Sequence, residues 1–230
     1  MTWAVEVWPE QEWAAAVAAR MTAALPSSGE VVITGGTTAA KVYRALDDLE
    51  RWDGLDVLFS DERCVDPGDE ASNYRMAMEL FLGRTTATVH RMPGELDPPE
   101  GARRYHNEIA EIVARGPHVA FMGMGADCHV GALYPGSPGL DDPNYCAAVS
   151  RPDGLTGLTL TPTAMLACAS IDLLVTGAGK AEAVARAVAG AEGPATCPVR
   201  VLADHPAVTL CLDEPAAGRL DRAARTGRPD

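Results

Sequence analysis

Apolar residues in this chain come in short, nearly unbroken runs, and stretches of helical spacing separate them. Seven runs read as strands: 4–8, 31–34, 56–60, 119–123, 158–161, 172–176 and 208–212. Several have almost no polar member, as expected of strands covered on both faces. Helical spacing marks 10–25, 38–49, 72–82, 99–115, 162–169 and 180–189. Ser72 and Pro99 suit helix starts: a Ser hydroxyl accepts from a first-turn amide, and Pro has no amide to leave unpaired. Gly83 and Gly116 suit helix stops, where a left-handed residue closes the last turn. Strands alternating with helices predict a Rossmann-like α/β fold, a mostly parallel sheet with helices on both faces. A single domain over 1–230 is expected, with the polar, Arg-containing stretch 216–230 as a flexible tail.

Ligands of such sheets sit beyond the carboxyl ends of the strands, so the residues after each run carry the chemistry. Gly35-Gly36-Thr37-Thr38 follow the second run. The glycines allow a close backbone approach, and the hydroxyls and helix-start amides offer donors to a phosphate or carboxylate. A plain strand-to-helix turn would use the same residues. Neither a Walker loop nor GxGxxG is present, so a nucleotide has no support. Asp61-Glu62-Arg63 follow the third run. Three charges there are costly to bury unless paired. They form either a surface turn with a local ion pair or a cleft edge, where Arg63 can meet an anion or a developing oxyanion.

After 119–123, a glycine-rich turn carries Asp127, Cys128 and His129. An Asp two residues before a His can hold one imidazole nitrogen and raise the basicity of the other. Adjacent residues in extended backbone point apart, which argues against a Cys128–His129 nucleophile pair. A further glycine-rich turn leads to Lys180 at a helix start, from which it can reach over the strand ends or simply sit in solvent.

Composition narrows the field. The chain is 47% hydrophobic and 22% charged, ordinary for a globular core. Its net charge of -13 repels phosphate backbones and argues against nucleic acid, while a local cluster of donors can still hold a small anion. No 18-residue apolar run and no basic-then-apolar start are present, so neither a membrane span nor a signal peptide is expected. The cysteines at 64, 128, 146, 168, 197 and 211 include no CxxC pair, and reduced thiols in a cytoplasmic protein are the expectation. Zinc finds only Cys128 and its neighbour His129, with His118 on a presumed core strand.

In order along the chain, these blocks resemble the 6-phosphogluconolactonase family, related to the glucosamine-6-phosphate deaminases. The family pattern runs GGST, DER, SN, GMGxDGHxxSLFPG, RxTLT, TGxxKA. Here it stands as Gly35-Gly36-Thr37-Thr38, Asp61-Glu62-Arg63, Ser72-Asn73, Gly123 to His129 with Leu133-Tyr134-Pro135-Gly136, Leu158-Thr159-Leu160-Thr161, and Thr176-Gly177 with Lys180-Ala181. The resemblance implies a Rossmann-like fold of the sugar-phosphate isomerase/deaminase kind. It implies hydrolysis of 6-phosphoglucono-δ-lactone without a metal or organic cofactor, by a monomer or small homo-oligomer. His129 would be the general base, Asp127 its support, and the Gly35–Thr38 loop with Asp61, Arg63 and Lys180 the substrate-binding groups.

Two departures stand out. Cys128 replaces the glycine of DGH, so a left-handed turn there would be strained or its side chain would intrude. Gly157 stands where RxTLT has its Arg, and Arg151, six residues earlier, is the candidate substitute. They leave open a diverged sugar-phosphate isomerase or deaminase, a hydrolase of another substrate, and a degenerate sugar-binding member.

Overall fold

The computed structural model describes residues 3–221. A seven-stranded sheet fills its centre, in the order β1 (Ala4–Trp8), β10 (Val208–Asp213), β9 (Ile171–Val175), β6 (Val119–Gly123), β2 (Glu30–Ile33), β3 (Asp56–Phe59), β5 (Thr88–His90). Its strand pairs are parallel. The middle strands are buried along nearly their whole length, which is why they read as unbroken apolar runs. Six α-helices accompany the sheet: α1 (Trp13–Ala24), α2 (Gly36–Arg44), α3 (Asn73–Leu80), α4 (Pro98–Arg115), α5 (Pro162–Leu166) and α6 (Ala181–Ala189).

From β2 the chain winds one way, through β3 to β5. From β6 it winds the other way, through β9 and β10. The adjacent strands β2 and β6, in register at Val31 with Val119, are thus the switch point, where the loops after them part and leave a crevice.

A second, antiparallel sheet differs from the expectation. The run at 158–161 joins no parallel neighbour. It lies in β8 (Thr156–Leu160), between β4 (Asp61–Arg63) and β7 (Cys146–Ser150). So the acidic-basic triplet is a strand rather than a turn, and it alternates: Asp61 and Arg63 turn to the crevice, Glu62 to the other side.

Helix limits moved at several points. α2 begins at Gly36 rather than at residue 38 and stops at Arg44, and α5 is a single short turn ending at Leu166. Ser72 caps α3 by accepting from the Arg75 amide at 3.1 Å, and Gly116 closes α4 with φ at 81°. The stretch expected as a loose tail begins packed: Ala216, Ala217 and Leu220 are buried in the core. Residues 222–230 of that stretch lie outside the described residues. Among the described residues no helix is long and apolar enough to cross a membrane.

Candidate active site

The crevice at the switch point is lined by Gly35, Gly36, Thr37, Thr38, Asp61, Arg63, His129, Tyr134, Arg151 and Lys180, with Thr34, Gly123, Met124 and Gly131. Asp127 stands behind His129. Residues separated by up to 146 positions in sequence, from Thr34 to Lys180, are thus brought to one crevice, as the strand-end reading expects.

His129 is held on three sides. Its Nδ1 donates to Asp127 Oδ1 at 2.6 Å. Its ring lies 4.5 Å from the Tyr134 ring. Its remaining side packs on the bare Cα of Gly125, where a Cβ would fall 2.0 Å from Nδ1. With Nδ1 donating, Nε2 is the basic nitrogen. The hydrogen bond from His129 holds the Asp127 carboxyl down to about 2, below its usual 3.8. Stability from this pair is therefore complete above pH 3.8 and is lost as the pH falls through about 2. We expect wild type and Asp127→Asn to differ in Tm at neutral pH, and the gap to close on acidification across that window. A gap that stays constant with pH would show the pair to be idle.

Cys128 takes the left-handed conformation, φ 68°, the only positive φ outside glycine among the described residues. Such a backbone costs a non-glycine residue about 1–2 kcal/mol. Its side chain does not intrude. The thiol is buried on the far side of the loop, 3.7 Å from the Ala183 carbonyl, and the Cys128 carbonyl accepts from the Val199 amide at 2.9 Å. Cys128 also contacts Cys197, a thiol that burial pushes up to about 12. Both cysteines are fully buried hydrophobes here.

The glycines at the start of α2 have different reasons. Gly36 has φ 90° and open space where a Cβ would be. Gly35 is a glycine because of a neighbour, not a ligand: a Cβ there would lie 1.8 Å from Asn73 Oδ1. The first turn of α2 has no side-chain cap, so its amides stay open toward the crevice. Across from it, Asp61 accepts from Ser60 Oγ at 3.0 Å and from Asn73 Nδ2 at 3.3 Å. Arg63 donates through Nη1 to the Ala71 carbonyl at 2.5 Å, and its Nε is buried without a hydrogen-bond partner among the described residues. Glu62 caps α3 instead of facing the crevice.

Lys180 is half-buried, and burial lowers its pKa while Asp127 acts in the opposite sense. The turn that leads to it is tied down by Asp213, at the end of β10. Asp213 accepts from the Thr176 hydroxyl, from the Gly177 amide at 2.9 Å and from the Ala216 amide at 2.7 Å. Sequence reading missed Asp213, whose role depends on a strand far away, and it met Tyr134 only inside a motif, with no role until the ring contact is seen. Asn73 was visible only as part of a motif. Among the described residues no group of three or more His, Cys, Asp and Glu side chains is placed to hold a metal ion. The arrangement offers one oriented base, a supporting carboxylate and converging cations, which suits proton transfer at an anionic substrate.

A sequence model of the glucosamine-6-phosphate isomerases/6-phosphogluconolactonase family matches residues 9–210. A 6-phosphogluconolactonase from Synechocystis is 31% identical over 217 residues, 89% of this chain and 90% of that protein. Another from Mycobacterium tuberculosis is 29% identical over 248 residues, 96% of this chain and 99% of its own. In fold, the structure of 6-phosphogluconolactonase from Trypanosoma brucei superposes with a TM-score of 0.84 at 22% identity, covering 96% of this chain and 99% of that one.

Proposed function

The chain belongs to the glucosamine-6-phosphate isomerase/6-phosphogluconolactonase family, and from that premise we propose that it is a lactone hydrolase converting 6-phosphoglucono-1,5-lactone to 6-phosphogluconate. The observation that carries the mechanism is the His129 imidazole, held through Nδ1 by Asp127 at the wall of the crevice. His129 takes a proton from a water molecule as the water oxygen attacks the lactone carbonyl carbon. The carbonyl becomes an oxyanion, for which Arg63 is the nearby donor. As the oxyanion collapses, the bond from that carbon to the ring oxygen breaks. The imidazolium returns its proton to the departing oxygen, which leaves as a hydroxyl on the opened chain. The new acid loses its proton to solvent.

Asp127 stays ionised throughout, balancing the imidazolium. No other cofactor enters these steps. The phosphate is held by the amides and hydroxyls of Gly36, Thr37 and Thr38 together with Lys180. Local cations matter because the chain as a whole, at -13, repels its own substrate. A Cys128 side chain filling the crevice would have supported the degenerate reading, and its thiol instead packs toward the Ala183 carbonyl. Free cysteines at all six positions support a cytoplasmic setting, and a monomer or small homo-oligomer would suffice.

The decisive assay follows opening of 6-phosphoglucono-1,5-lactone against its spontaneous rate. Acceleration by the folded protein is expected. Its absence overturns the lactonase reading.

A further inference from the structure

We infer that Gly157, Tyr134 and Arg151 form an interlocked seat, in which a missing side chain on one strand admits the arginine that selects a phosphorylated substrate. The inference rests on the lactonase reading above and adds to it the residues that distinguish a sugar phosphate from a plain sugar.

The observations begin with the empty space. β7 and β8 are antiparallel, with Val149 opposite Gly157, and Arg151 lies just past the end of β7. A Cβ on Gly157 would fall 3.0 Å from Arg151 Cδ and 3.4 Å from its Cγ, with the Glu62 carbonyl oxygen 3.2 Å away on β4. φ is ordinary at Gly157, so the backbone does not ask for glycine. The stem of Arg151 occupies the volume instead. Its guanidinium then lies over the Tyr134 ring, 5.8 Å from the centroid, while the same ring stacks on His129. One aromatic ring therefore sets both the base and the cation.

What the guanidinium does with its donors completes the case. Nε and Nη2 are engaged by Asp153, with Nη2 at 2.9 Å. Nη1 makes no hydrogen bond among the described residues. It stands 3.9 Å from Asp61 Oδ2, and Arg151 lines the crevice. The side chain is only 8% exposed, so this donor is a built feature of the wall and not a waving surface group. A half-engaged, pre-oriented guanidinium fits an oxyanion of a phosphate better than a sugar hydroxyl, because charge assistance roughly doubles the hydrogen bond. The side chain that would block it is the one Gly157 lacks.

The test measures binding of 6-phosphogluconate and of gluconate by calorimetry, alongside turnover of the two corresponding lactones. Arg151→Ala should weaken 6-phosphogluconate binding roughly 10- to 100-fold and leave gluconate binding unchanged. KM for the phosphorylated lactone should rise by a similar factor with kcat little changed. Gly157→Ala should give a smaller loss of the same kind, by pushing Arg151 aside. In the Arg151→Ala background the same Gly157→Ala change should cost clearly less, because only the contact with the Glu62 carbonyl oxygen, 3.2 Å away, remains, whereas a general weakening of the hairpin would cost the same in both backgrounds. Equal affinity of Arg151→Ala and wild type for 6-phosphogluconate overturns the inference while the lactonase reading stands. Additive losses from the two substitutions overturn the interlock. Binding that depends on Arg151 without any turnover supports the seat and removes the lactonase.

Discussion

His129→Ala is expected to lower kcat for lactone opening by roughly 10²- to 10⁴-fold, with product affinity close to wild type and a Tm lowered about as far as by Asp127→Asn, since both break the same pair. The expectation of a clean effect comes from where the ring sits. It is about one-third exposed and touches Tyr134, Asp127 and the Cα of Gly125, so its removal opens no sealed cavity. The loop around it keeps its own bonds, including the Gly125 amide to the His129 carbonyl at 2.9 Å. Gly125→Ala should reach nearly the same loss by another route. Its Cβ would stand 2.0 Å from Nδ1 and 2.4 Å from Asp127 Oδ1, so the imidazole and its partner cannot both stay. Stopped assays of both variants decide the matter. Activity within a few-fold of wild type in His129→Ala would move the base elsewhere, with Asp61 the carboxylate to test next.

Glu62→Ala should be the most damaging single change to stability outside the apolar core, at about 3–4 kcal/mol. Glu62 is almost wholly buried, and burial raises its pKa, so the carboxylate is kept there at a cost. Its two oxygens answer four donors: the amides of Arg63 at 2.8 Å, Asn73 at 2.7 Å and Tyr74 at 2.8 Å, and the Ser72 hydroxyl at 3.0 Å. Truncation leaves those donors without partners at the start of α3, where the helix dipole also favours an anion. Chemical denaturation would read the loss. A change under about 1 kcal/mol would mean that water takes over the cap.

The parts of this architecture that follow from burial on both faces were readable in the chain. Val31 to Ile33 and Leu173 to Val175 are apolar because helices cover them, and no other arrangement suits such runs. β4 and β7 left little such trace. Asp61-Glu62-Arg63 has the composition of a turn, and only its pairing with Thr159, Leu158 and Gly157 makes it a strand. β5 is an edge strand of three residues, too short to show a period. At the site, Asp127 and His129 were legible because their contact is local. Asn73 and Asp213 act across the fold, through a carbonyl oxygen against a distant glycine and a turn on another strand, while Tyr134 acts through a ring face that its place in the motif does not reveal. Cys128 shows both limits at once: sequence reading pointed to its left-handed backbone, and only the packing of the thiol against Ala183 shows which way it points.

The pairing of β1 with β10 has a consequence in time. Ala4 lies beside Thr209, and the Trp13 indole donates to the Cys211 carbonyl at 3.0 Å. β1 thus has no partner until β10, far along the chain, has been made. β2, β3 and β5 can meet their neighbours early, while β1 and the apolar face of α1 wait in water or in the grip of a chaperone. Loop closure over such a separation makes this the slow step of assembly. A chain cut short before β10 would leave its own beginning exposed and prone to stick.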